Sequence, residues 1–84
     1  MNPRKLLQRI ARGYVQNVSF PDFVGLVKAF GFTLARVRGS HHLFVHPQVP
    51  MRLNLQEFGG EAKPYQVRQF LRIVMLYNLR METD

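Results

Sequence analysis

The chain has no cysteine and no tryptophan, and only five acidic residues among 84. Without a thiol there is no disulfide scaffold, no thiolate nucleophile and no Cys-ligated zinc. The carboxylates Asp22, Glu57, Glu61, Glu82 and Asp84 show no paired spacing on one expected element, which leaves nothing to run a two-carboxylate acid–base mechanism. No apolar run approaches the roughly 18 residues of a membrane-spanning helix, and none of about seven to fifteen near the start suits a secretory leader. Dinucleotide-binding GxGxxG, P-loop and nucleophile-elbow motifs are missing, as are internal repeats, low-complexity tracts and linkers.

What is present is positive charge and a phenylalanine-rich core. Twelve Lys and Arg give a formal net charge of +7, and 46% of the residues are hydrophobic, seven of them Phe. That content argues against disorder, and the length suits one soluble, cytoplasmic domain over 1–84. Such a surface fits a nucleic acid, an acidic protein partner or an anionic membrane. The excess is spread along the chain rather than gathered in a tail. The first 20 residues carry Arg4, Lys5, Arg9 and Arg12 with no acid, in an amphipathic pattern that organellar transit peptides share. The segment is poor in Ser and runs straight into the folded part, which favours a helical extension over 1–18.

Asn2-Pro3 reads as the cap and first position of that helix, with Leu6, Leu7, Ile10 and Tyr14 as its apolar stripe and an end near Gly13. Its basic outer face reads either as a solvated surface or as one that meets RNA or membrane. Ser19 can cap a second helix, in which Phe20, Phe23, Val24, Val27 and Phe30 make one core-facing stripe and Gly31 supplies the left-handed terminator. The period then falls to two. Strands are expected at Phe32–Arg38, His41–His46 and Met51–Gln56, joined by a tight Gly39-Ser40 turn and a Pro47–Pro50 connection. Glu57–Lys63 reads as a polar loop, and Pro64 opens a last helix with Val67, Phe70, Leu71 and Val74 inward. The fold class expected is α+β: a two-layer sandwich with a three-stranded antiparallel sheet covered by helices.

All three histidines, His41, His42 and His46, fall in one strand. A shared metal fails on geometry: His41 and His42 point to opposite faces, while His42 and His46 lie about 13 Å apart at roughly 3.3 Å per residue. No cofactor or metal site is expected. Proton transfer suits these side chains better, because imidazole titrates near neutrality and RNA brings its own nucleophile, the 2′-hydroxyl. Period two places Arg36 and Arg38 on one face of the paired strand, where guanidinium forks can hold a phosphate beside one of the histidines. Gly39 lets a backbone come close to a ligand. The plain alternative is one surface histidine and one packing histidine. Which strand face is buried stays open: His41 goes with Leu43 and Val45, His42 with Phe44 and His46, and a bulge at Gly39-Ser40 would shift the register.

Gly31-Phe32, then Arg36-Val37-Arg38-Gly39-Ser40-His41-His42-Leu43-Phe44 and His46-Pro47, resemble the HicA toxin family of bacterial toxin–antitoxin systems. The resemblance continues through the polar loop to Lys63-Pro64 and covers about residues 20–79, within a core over 19–79. It implies a fold similar to double-stranded-RNA-binding domains and the toxin role in a type II toxin–antitoxin system. It also implies an mRNA interferase that cuts RNA without ribosomes, and inhibition by a cognate HicB-type antitoxin. The histidine after Gly-Ser is the catalytic one in the family, which maps to His41; His42 is its neighbour and His46 structural. Arg36, Arg38, Gly39, Ser40, His42 and Lys63 are the candidate RNA-binding residues beside His41. Many members carry a further histidine where this chain has Glu57-Phe58, and Gly-Thr where it has Tyr65-Gln66. A non-catalytic RNA-binding module, or a basic interaction protein for an acidic partner, is the competing reading.

Overall fold

The computed structural model describes residues 1–82. Its elements run α1 (Pro3–Ala11), α2 (Phe20–Ala29), β1 (Thr33–Arg38), β2 (His41–His46), β3 (Val49–Phe58), β4 (Glu61–Ala62) and α3 (Pro64–Leu76). The strands form one antiparallel sheet in the order β1-β2-β3-β4, with helices on one face, so the α+β sandwich holds.

The helices start where capping chemistry places them. Asn2 accepts the Lys5 N–H at 2.9 Å and Ser19 the Asp22 N–H at 3.4 Å. Gly13 and Gly31 follow α1 and α2 with φ of +99° and +93°, the left-handed geometry that ends a helix. Phe23, Phe30 and Phe32 surround Phe70 of α3 with ring centroids 5.5, 5.5 and 6.1 Å away. That cluster meets Phe44, Leu53 and Leu55 from the sheet and is the centre of the core.

Several boundaries differ from the sequence expectation. The Glu57–Lys63 segment is a hairpin rather than a loop: Gly59 and Gly60 take φ of +58° and +79°, and Phe58 pairs with Glu61. Two adjacent left-handed residues match the right-handed twist of a two-residue turn, and glycines take them without strain. The sheet thereby gains a short fourth strand. The strand expected from Met51 starts at Val49, and Pro50 lies where the β2–β3 register slips between Phe44 and His46. A bulge frees that position from donating to the ladder, which is how a proline is accommodated. A second irregularity falls between Leu34 and Arg36, whereas Gly39-Ser40 is a plain two-residue turn with Arg38 opposite His41. Tyr14 leaves the α1 stripe and is 63% exposed, because the helix has ended by then. The strand question is settled too: Phe44 and His46 are buried, so the His42 side of β2 faces the helices. No helix among the described residues is long and apolar enough to cross a membrane.

Candidate functional site

The open face of the sheet carries the polar and basic side chains of the hairpin. Arg38 stands directly opposite His41, and Arg36 opposite Leu43, on the hairpin closed by Gly39-Ser40. Both arginines share a face despite the irregularity, which falls before Arg36. Gly39 turns the chain with φ of +59°, a conformation that side chains with a Cβ adopt at a cost. On the next strand Asn54 pairs with Leu43 and Gln56 with His41. The result is a shallow groove of about 290 Å³ lined by Arg36, Arg38, His41, Leu43 and Asn54. A neighbouring hollow of about 250 Å³, lined by Ala35, Arg36, Leu43, Val45 and Arg52, adds a third guanidinium. None of these lining side chains is acidic, so both hollows suit an anion.

The three histidines occupy three environments. His41 is exposed in the groove beside the arginines. His42 is half-buried on the helix side, with its ring against Phe20 at 4.9 Å and its Nδ1 3.1 Å from the Ser40 carbonyl. A carbonyl only accepts, so Nδ1 carries the proton and Nε2 of the neutral ring is left as the acceptor. His46 is 8% exposed; it accepts the Gln48 N–H through Nδ1 at 3.0 Å and donates from Nε2 to the Phe30 carbonyl at 3.0 Å. Both its nitrogens are used, and it links the end of α2 to the β2–β3 turn. Among the described residues no three His, Asp or Glu side chains converge as a metal site would require.

Of the residues singled out from sequence, Arg36, Arg38 and His41 meet in one groove, and Gly39-Ser40 forms its end. His42 lies on the other face. Lys63 reaches the site indirectly: its Nζ donates to Gln56 Oε1 at 2.7 Å and lies 5.7 Å from the Phe58 ring, while Gln56 Nε2 donates to Ser40 Oγ at 3.3 Å. Sequence reasoning missed Gln56, Asn54 and the residue that fixes both, Gln66. β4 ends at Ala62 and leaves the outer edge of β3 unpaired. Gln66, from the first turn of α3, fills that gap. Its Oε1 accepts the Gln56 N–H at 2.9 Å and its Nε2 donates to the Asn54 carbonyl at 3.1 Å, replacing a strand's ladder bonds with one carboxamide. The available signal was the polar face of the third strand, Arg52, Asn54 and Gln56, at period two.

A helix-backed antiparallel sheet whose free face holds a basic, histidine-bearing groove makes this an α+β sandwich of the double-stranded-RNA-binding-domain type. The family model described as HicA toxin of bacterial toxin–antitoxin matches residues 20–75. The chain belongs to that family, and so is the toxin component of a pair completed by a cognate antitoxin. Comparison with curated proteins and with solved structures finds no match. α1 lies outside the matched segment.

Proposed function

We propose that the protein is an endoribonuclease that cleaves mRNA in the cytoplasm, with His41 as the proton-transfer group, held in check by a HicB-type antitoxin. The observation that carries this reading is the placement of His41 across from Arg38 and in one groove with Arg36. The imidazole takes the proton from a ribose 2′-hydroxyl. The 2′-oxygen forms a bond to phosphorus, the bond to the 5′-oxygen breaks, that oxygen takes a proton from solvent water as it leaves, and the imidazolium then returns its proton to solvent. A 2′,3′-cyclic phosphate and a 5′-hydroxyl are the products. Arg36 and Arg38 hold the non-bridging oxygens as charge builds on them. Gly39 admits the RNA backbone to the turn, Ser40 and Lys63 shape the groove's end through Gln56, and His42 braces the turn from the other face through the Ser40 carbonyl.

General acid–base catalysis contributes about 10²–10⁴-fold, which sets the scale of the test. A His41→Ala protein with an unchanged circular dichroism spectrum is expected to lose cleavage of a labelled RNA by that factor. A folded variant that still cuts at the wild-type rate removes His41 from the mechanism. DNA, which lacks the 2′-hydroxyl, is expected to survive the same conditions; cutting of single-stranded DNA refutes the chemistry. A second assignment within the same reading rests on His42, whose tautomer is fixed by the Ser40 carbonyl and whose Nε2 is the free acceptor. Salt-sensitive RNA binding by the wild type with no cleavage instead identifies a non-catalytic RNA-binding module.

A further inference from the structure

The cations of α1 are the strongest charged feature that the groove does not use. Leu6 and Ile10 bury the helix against the core and Leu7 is half-buried, which turns Lys5, Gln8, Arg9, Ala11 and Arg12 outward. Lys5, Arg9 and Arg12 follow one another at i, i+4 and i+7, along one side of the helix. At 1.5 Å per residue the stripe is about 10 Å long, so its long flexible side chains can meet successive phosphates of one RNA strand. Among the described residues no carboxylate forms an ion pair with these three; the acid nearest the helix start, Asp22, is bound to the Met1 amino group at 3.3 Å. Three like charges in a row lower stability unless something neutralises them.

The same features discriminate between occupants. The centre of a protein interface is enriched in aromatic side chains, Met and Arg and depleted in Lys. The outward stripe has arginines but no aromatic anchor, and its three cations have no opposing carboxylate among the described residues, so a phosphate backbone suits it better than a folded partner. α1 packs on α2, on the helix side of the sheet and opposite the groove, so an RNA meeting both must pass around the hairpin tip. The Met1–Asp22 contact sets the start of α1 beside the start of α2, whose Phe20 lies against His42 at the hairpin end of β2. The whole chain measures 30 × 30 × 20 Å, so a strand of modest length leaving the groove past the hairpin tip reaches α1.

We propose that Lys5, Arg9 and Arg12 form a second phosphate-backbone contact for the RNA engaged at the groove, favouring long over short RNA; this rests on RNA being the ligand of that groove. The test uses the full chain with His41→Ala to prevent cleavage, and reads affinity for a 30-nucleotide and a 5-nucleotide RNA by fluorescence anisotropy across salt concentrations. Each single-strand phosphate neutralised adds about 0.7 to the slope of log K against log salt. The 30-mer slope should therefore exceed the 5-mer slope by about 2, and the difference should vanish in Lys5→Gln/Arg9→Gln/Arg12→Gln. Arg68→Gln/Arg72→Gln/Arg80→Gln removes equal charge from exposed positions elsewhere and should keep the difference. Equal slopes in the parent protein, or equal loss in the control, overturns the proposal. So does a triple variant that keeps its RNA slope while losing an acidic antitoxin. Cleavage by the wild type is scored separately: converging slopes without cleavage refute only the catalytic reading, and cleavage with unaltered slopes refutes only the α1 surface.

Discussion

Replacing Gln66 by leucine tests how the site is braced. The carboxamide is 5% exposed and holds two backbone groups of β3, the Gln56 N–H at 2.9 Å and the Asn54 carbonyl at 3.1 Å. Leucine has similar bulk and neither bond. A buried backbone group left unpaired costs about 1–3 kcal/mol. Asn54 is exposed and Gln56 half-buried, so water partly rescues both and the lower end applies to each. The expected loss is about 2 kcal/mol, or about 8–16 °C in Tm for a domain of this size. Glutamate discriminates further. It accepts the Gln56 N–H but sets a carboxylate oxygen against the Asn54 carbonyl, so Gln66→Glu should be at least as unstable as Gln66→Leu. Urea unfolding monitored by tyrosine fluorescence and circular dichroism reads both. A leucine variant within about 0.5 kcal/mol of wild type, or a glutamate variant as stable as wild type, refutes the claim that this side chain replaces a strand.

Three other outcomes follow from the same geometry. Arg36→Gln and Arg38→Gln should each slow RNA cleavage by about 10–100-fold in single-turnover assays; a buried oxyanion donor contributes about 10²–10³, but this groove is open to solvent. Gln56→Met should lower cleavage by releasing both Ser40 and Lys63, while thermal unfolding falls by less than in Gln66→Leu; unchanged cleavage makes the Lys63–Gln56–Ser40 chain irrelevant to the site. Gly31→Ala should cost about 1–3 kcal/mol in urea, because Gly31 sits at φ +93° and a Cβ there meets Glu82 Oε2 at 2.6 Å and His46 Nε2 at 3.0 Å.

The helices and the hairpin were legible because each rests on a local rule. Asn2 and Ser19 cap, Gly13 and Gly31 terminate, and the Phe20–Phe30 stripe repeats at helical period. Alternation in His41–His46 sorted its side chains into two sets but left their orientation open. That choice is made by tertiary packing: Phe44 is the bulkiest side chain of β2 and is fully buried in the core that the helices and the sheet share. β4 escaped notice because two residues are too few for any period, and only the paired glycines announced the turn. Gln66 was invisible for a deeper reason. On α3 it looks like one more polar residue among Tyr65, Arg68 and Gln69, and its role exists only once the edge of β3 is brought beside it. The juxtaposition of Arg36, Arg38 and His41 was the readable part of the candidate site, since one two-residue turn fixes their register.

The adjacent histidines allow the assignment of the chemistry to be decided rather than assumed. Successive residues of a strand face opposite ways, so one imidazole lies in the arginine groove and the other against Phe20; no small side-chain motion exchanges them. Phosphate held by Arg36 and Arg38 is therefore within reach of His41 and on the wrong side of the sheet for His42. His42→Ala removes a ring contact and the Nδ1–H bond to the Ser40 carbonyl, which also accepts the Glu57 N–H at 3.1 Å. The turn thus keeps one of its ties, and the expected cost is about 1 kcal/mol of stability with less than a tenfold loss of cleavage. His41→Ala should leave stability within about 0.5 kcal/mol, as an exposed side chain does, and lower cleavage by about 10²-fold or more. Single-turnover rates and urea midpoints on the two variants give opposite patterns if the groove is the site. A His41 variant that cuts normally beside a stable, inactive His42 variant moves the chemistry to the helix side, where Nε2 of His42 is the free base.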